Sequence, residues 1–110
     1  MAEELVAARL IAHGYEIVAR NARVGRLELD IIARRGRLLV VCEVRSRASD
    51  LYGSPLETIT KAKTANIRRA TAGWMRREKP STKEVRFDAA AVTFGGPGGE
   101  PIVEYYEDAF

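Results

Sequence analysis

Three carboxylates lie inside apolar runs where β-propensity favours branched or aromatic residues. The segment reads Glu28-Leu29-Asp30-Ile31-Ile32, then Arg34-Arg35-Gly36-Arg37, then Leu38-Leu39-Val40-Val41-Cys42-Glu43-Val44-Arg45. Two apolar runs around a short glycine-containing turn predict a β-hairpin. With the turn centred on Arg35-Gly36, Arg34 pairs with Arg37, Glu28 faces Glu43 and Asp30 faces Val41. Strict alternation then puts Glu28, Asp30, Glu43 and Arg45 on one strand face. Opposed Cβ atoms stand about 5 Å apart, so like charges there repel unless a divalent cation bridges their oxygens. The competing reading is an ordinary solvated sheet face, its acids balanced by Arg26, Arg45 or Arg47. Against it, Leu39 and Val41 share the face of Glu43, and Ile32 shares that of Asp30. Burying unpaired carboxylates among such residues is costly.

The elements that would position these acids follow from periodicity. Residues 3–13 predict a helix, with Leu5, Ala8 or Arg9, and Ala12 at helical spacing and Glu3 and Glu4 in its first turn. His13 sits at its end and Gly14 stops it. Tyr15 to Arg20 predicts a first strand, Asn21 to Gly25 a turn, and the hairpin adds two strands. Ser46 to Tyr52 reads as a polar loop, and Ser54-Pro55-Leu56-Glu57 as a helix start. A long helix over Thr60–Arg77 presents Ile59, Ala62, Ile67, Ala70 and Trp74 as its core arc and ends before Pro80. Strands over Val85–Phe94 and Ile102–Tyr106 flank the glycines at 95–99. Those glycines lack the Lys-Ser/Thr and the following helix of a phosphate-binding loop. Asp88 shares the parity of Ala90, Val92 and Phe94. The expected fold is α/β, a mixed sheet flanked by two main helices in the order αβββαββ.

Composition bounds the rest. At 110 residues, 46% hydrophobic and 30% charged, residues 1–110 predict one domain. No apolar run reaches a membrane span, and acidic Glu3 and Glu4 are unlike a signal peptide, so no membrane partner is expected. A lone cysteine, Cys42, fits a reducing cytoplasm and a small buried side chain. A lone histidine excludes multi-histidine zinc sites and most histidine-based triads. Net charge is +3, and seven of the Lys/Arg residues fall between Lys61 and Lys79 against one acid, Glu78. Lys61, Arg68, Arg69 and Arg76 form a stripe suited to phosphates, or simply a solvated face. Arg34, Arg35, Arg37, Arg45 and Arg47 add positive charge around the acidic hairpin.

These motifs together resemble the YraN-like family of small bacterial proteins, an endonuclease-like group within the restriction-endonuclease-like PD-(D/E)XK superfamily. Asp30 with Glu43-Val44-Arg45 resembles the superfamily's D…(E)-x-K core. Glu28-Leu29-Asp30-Ile31-Ile32-Ala33 resembles the family's Glu-x-Asp-Leu-Ile-Ala strand, and Cys42 to Arg47 its Val-Glu-Val-Lys-x-Arg strand. The first helix with Glu3, Arg20-Asn21, Tyr52 to Glu57, Lys63 to Trp74 and Arg86-Phe87-Asp88 continue the likeness over nearly the whole chain. The resemblance implies a restriction-endonuclease-like core in which Asp30 and Glu43 hold Mg²⁺ or Mn²⁺, with Glu3 or Glu28 as outer carboxylates. It implies a metal-dependent DNA endonuclease, acting on branched or otherwise non-standard DNA and pairing as a homodimer. Arg45 stands where the motif has lysine, Thr64 where a glutamine is expected, and Leu27 where a glycine is expected. Arginine keeps the charge but cannot serve as a base. The alternative is therefore a nucleic-acid-binding protein that keeps the scaffold without cutting. An interaction module unrelated to nucleic acid is a third reading.

Overall fold

The computed structural model describes residues 1–47, 59–95 and 97–110. Its elements are α1 (Ala2–Ala12), β1 (Glu16–Val24), β2 (Leu27–Arg35), β3 (Leu38–Arg47), α2 (Lys61–Glu78), β4 (Glu84–Thr93) and β5 (Ile102–Tyr106), with a short 3₁₀ turn at Pro97–Gly99. The five strands form one sheet in the order β1-β2-β3-β4-β5. Only β3 and β4 run parallel, with α2 between them in the chain. This is the expected mixed α/β fold in the order αβββαββ.

β3 explains the layering. Val40 and Cys42 pack with Val6, Ala7 and Leu10 of α1, while Leu39 and Val41 pack with Ile67, Ala70 and Trp74 of α2. A strand covered on both faces needs a continuous apolar run, which Leu38 to Cys42 supplies. Each helix therefore covers one face of the sheet. The buried face of α1 is Val6-Ala7-Leu10, not the expected Leu5/Ala8/Ala12 series, because Ala8 and Ala12 are exposed. In α2, Ile67, Ala70 and Trp74 are buried as expected, but Ala62 is exposed and Ile59 precedes the helix. Thr71 joins the buried face instead, its hydroxyl donating to the Ile67 carbonyl at 2.8 Å.

The termini follow from local chemistry. Gly14 at φ 87 closes α1, with the Tyr15 amide donating to Leu10 and the Gly14 amide to Ile11. His13 Nδ1 bonds the Arg9 carbonyl at 2.8 Å. Thr60 caps α2 by accepting from the Lys63 amide at 3.1 Å, and Lys79 ends it in the left-handed region. The expected helix start at Ser54-Pro55 lies outside the described residues, whereas Ser46 and Arg47 belong to β3 rather than to a loop. β1 likewise runs on to Val24, through the turn expected from Asn21. No helix among the described residues is long and apolar enough to cross a membrane.

Gly73 marks where α2 lies closest to β1. A Cβ there would stand 2.8 Å from Val24 Cγ1, and branched Val24 has little rotamer freedom to yield. Gly73→Ala gains about 1 kcal/mol of helix propensity but incurs overpacking of roughly 1–3 kcal/mol. We expect a net loss of about 1 kcal/mol in urea denaturation, recovered when Val24→Ala is added.

Candidate functional site

The hairpin is slipped by two residues from the expected register. Arg35 faces Leu38, Arg34 faces Leu39 and Ile31 faces Cys42, because Gly36 at φ 60 is the first residue of a two-residue loop rather than the second. A slip of two preserves side-chain parity. Continuing this register places Asp30, not Glu28, beside Glu43.

The strand itself is irregular at Asp30. Leu29 packs in the α2-side cluster and Ile31 in the α1-side cluster, although strict alternation would give them one face. Two observations account for the break. Asn21, across from Asp30 between the pairs Arg20–Ile31 and Ala22–Leu29, adopts φ 50, a left-handed backbone that asparagine tolerates. On the other side Asp30 Oδ2 accepts the Val44 amide at 2.9 Å, replacing a main-chain carbonyl just beyond the last hairpin pair. The expected single face bearing Glu28, Asp30, Glu43 and Arg45 is thus a break in the sheet lined by acids.

Glu3 reaches this break from α1. With its amide oriented to satisfy its neighbours, Asn21 donates to Glu3 Oε1 at 2.9 Å and Glu28 Oε1 at 3.1 Å. Glu28 also lies 3.8 Å from the exposed Arg23 guanidinium. Glu43 is 8% exposed, and its Oε2 is buried without a hydrogen-bond partner among the described residues. Arg45 Nε and Nη2 are buried and unpartnered as well. Burial, reinforced by the charge of Asp30, pushes the Glu43 carboxyl up to about 7 against the Asp30 amide and Arg45. Burial likewise raises Asp30, opposed by the Val44 amide and Arg45. Glu3 is raised by burial and by Asp30.

A cleft of about 200 Å³ opens over this cluster, between β2–β3 and α2. Glu28 and Glu43 line it together with Lys63 and Asn66 from the first turns of α2. Neither Lys63 nor Asn66 stands out by sequence pattern. Their role follows from Thr60 starting the helix where its first turns meet the end of β3.

The expected basic residues are dispersed. Arg34, Arg35 and Arg37 sit at the hairpin turn, and Arg35 lies five steps along the strand from Asp30, roughly 17 Å. Arg47 bonds Thr93 Oγ1 and Glu104 Oε1, each at 3.1 Å, tying β3 to β4 and β5. Arg68 donates to the Phe110 carbonyl at 2.8 Å and lies over Phe87, while Arg69 bonds Asn66 at 3.2 Å. Lys61 and Arg76 are exposed on α2. Cys42 is fully buried, its thiol pushed up by burial, as a small core residue should be.

Among the described residues no three acidic, histidine or cysteine side chains group closely enough to hold a metal ion. Asp30 and Glu43 are still suited to a hard cation: Glu43 Oε2 is orphaned among the described residues, and burial strains both ionised carboxylates, with the charge of Asp30 adding to the strain on Glu43 and that of Glu28 to the strain on Asp30. Mg²⁺ ordinarily takes one or two carboxylates and fills its other positions with water and phosphate oxygens. Asp30 and Glu43 fit that demand.

Fold and site define a small mixed-sheet α/β protein with a buried Glu43, next to half-buried Asp30, lining a cleft beside its second helix. The chain belongs to the uncharacterised protein family UPF0102, whose model matches residues 2–92. It is 47% identical to a UPF0102 protein of Sorangium cellulosum over 112 residues, covering 99% of this chain and 77% of that protein. A UPF0102 protein of Leifsonia xyli is 47% identical over 82% of this chain and 76% of its own. One from Anaeromyxobacter dehalogenans is 42% identical over 98% and 79%.

Proposed function

We propose that this protein is a metal-dependent endonuclease of the restriction-endonuclease-like kind, hydrolysing phosphodiester bonds in DNA. The observation that carries the reading is buried Glu43 beside half-buried Asp30, with a Glu43 oxygen and Arg45 Nε and Nη2 unpartnered among the described residues. Asp30 and Glu43 would hold Mg²⁺ or Mn²⁺, with Glu3 and Glu28 as outer carboxylates. The bound ion would polarise the phosphate and lower the pKa of an attacking water. Arg45 can take non-bridging phosphate oxygens through its free Nε and Nη2, a fork geometry suited to phosphate. Lys63 supplies a second, mobile cation from the α2 wall, and Asn66 a neutral donor. Asn21 keeps Glu3 and Glu28 apart from one another by bonding both. The exposed basic side chains of α2, Lys61 and Arg76 among them, extend positive charge away from the cleft for further backbone contacts. Two copies acting together would address two strands, which suits branched DNA as substrate.

The test is incubation with linear, single-stranded and four-way-junction DNA in Mg²⁺ or Mn²⁺. Cleavage that falls at least a thousandfold in Asp30→Ala and in Glu43→Ala is expected. Cleavage by both variants at the parent rate would refute the assignment. The second reading, binding without cutting, rests on Arg45 in the lysine position. It predicts salt-sensitive DNA binding, no product with any metal, and affinity unchanged in the two alanine variants.

A further inference from the structure

A second cleft, of about 210 Å³, lies at the other end of α1 from Glu3. Arg9 and His13 of α1 reach it, as do Tyr15, Arg35, Arg86 and Tyr105. Along the helix, Glu3 and His13 are roughly 15 Å apart, so this is not the acidic cleft.

The charges here are unequally committed. Arg86 is held from all sides: Nε and Nη2 bond the two Asp88 oxygens at 2.8 Å each, Nη2 also bonds Tyr15 Oη at 2.9 Å, and Nη1 lies 3.5 Å from Glu107. Its charge is balanced by Asp88 and Glu107. Arg9 and Arg35 have no carboxylate partner among the described residues. Each is instead positioned on an aromatic face. The Arg35 guanidinium is 4.3 Å from the Tyr15 ring centre, its Nη1 fixed by the His13 carbonyl at 3.2 Å, and that of Arg9 is 5.7 Å from Tyr105. Stacking leaves the donor edges of a guanidinium available while restricting its motion. Two uncompensated, pre-oriented guanidinium groups therefore border one concave site, with Tyr15 and Tyr105 beside them.

We propose that this cleft is an anion site for a phosphate group. Forked donors on two sides match a tetrahedral oxyanion better than a single carboxylate, which one guanidinium satisfies. Its volume is below the roughly 300–1,000 Å³ typical of whole small-molecule pockets, so it takes a phosphate and its immediate ester rather than an entire nucleotide. The site stands apart from the cleavage chemistry and does not depend on it.

Titration with inorganic phosphate at low ionic strength, followed by amide chemical shifts, tests the proposal. Saturable shifts are expected at His13, Tyr15, Arg35 and Tyr105. Affinity should fall at least tenfold in the Arg9→Gln/Arg35→Gln double variant and stay unchanged in Asp30→Asn. Gln keeps the stem to Cδ while removing the charge and the guanidinium fork, and the variant's dispersed spectrum reports that it remains folded. A short single-stranded oligonucleotide with and without a 5′-phosphate separates the sources. Shifts only with the phosphorylated form identify a nucleic-acid end, and shifts with inorganic phosphate but neither oligonucleotide identify a free anion. Absence of saturable shifts with phosphate, or shifts undiminished in the double variant, overturns the site. Phosphate binding with no DNA cleavage would sink only the endonuclease reading.

Discussion

Replacing Asp88 by alanine is expected to cost about 3–5 kcal/mol, enough to unfold much of a protein whose whole stability is of order 5–15 kcal/mol. Asp88 is 0% exposed and accepts four hydrogen bonds: two from Arg86, one from Tyr105 Oη at 2.5 Å, and one from the Asp108 amide at 2.9 Å. Its removal leaves the Arg86 guanidinium, with 18% side-chain exposure, without its main counter-charge. The bond from Asp88 is the chief cause of the raised Arg86 pKa, against the opposing effect of burial. The Tyr105 hydroxyl is raised first by burial and further by Asp88. Losing the carboxylate also unties β5 and the following turn from β4. Urea denaturation of Asp88→Ala, Asp88→Asn and the Arg86→Met/Asp88→Leu double variant measures this. Asparagine should recover part of the loss. The double variant should be more stable than Asp88→Ala, because no charge stays buried alone, yet less stable than the parent, because Tyr105 and Asp108 lose their acceptor. An Asp88→Ala variant within 1 kcal/mol of the parent would show the network to be dispensable.

The second large effect has the opposite sign. Glu43 is held at about 7 in the folded protein, above the usual 4.5 of the unfolded chain. Between those values the folded state binds more protons than the unfolded one, so stability falls as pH rises from 4.5 through 7. The full penalty, on the order of 3 kcal/mol for a carboxyl lifted from 4.5 to about 7, is present above pH 7 and absent below pH 4.5. Asp30 and Glu3 are raised and push in the same direction. Melting temperature should therefore fall by roughly 10 °C between pH 5 and pH 8. Glu43→Gln should remove most of that slope and be more stable than the parent at pH 8, while failing to cleave. On the proposed reading, a bound cation offsets this cost. Mg²⁺ or Mn²⁺ at pH 8 should raise the melting temperature of the parent and leave Glu43→Gln unmoved. A flat pH profile, or an equal metal effect in both proteins, would contradict this account.

Much of this was readable before folding. The two apolar runs around Gly36 announce a hairpin, and acids within such runs announce a cost that something must offset. The end of α2 before Pro80 and the closure of α1 at Gly14 are local chemistry, visible at single residues. Asp88 carried a usable signal too, an acid in phase with Ala90, Val92 and Phe94. Its four hydrogen bonds come from three residues: Arg86 lies two positions away on β4, but Tyr105 of β5 and Asp108 of the turn after β5 are distant in the chain and nothing local specified them.

What sequence alone determined, then, is the order of elements and the presence of Asp30 and Glu43 as acids inside apolar strands. Side-chain type and period are local properties and need no third dimension. Tertiary structure decided the pairings. One glycine moved from the second to the first loop position slipped the hairpin by two residues and put Asp30 against Glu43. A left-handed Asn21 and a side-chain bond to Val44 broke the strand there and opened the acidic cleft. The folded chain set Arg9 against Tyr105 and Arg35 against Tyr15, so that Arg35 lies away from the acids it flanks in the sequence. Such partnerships depend on which faces meet, and residues far apart in sequence meet only once the chain has folded.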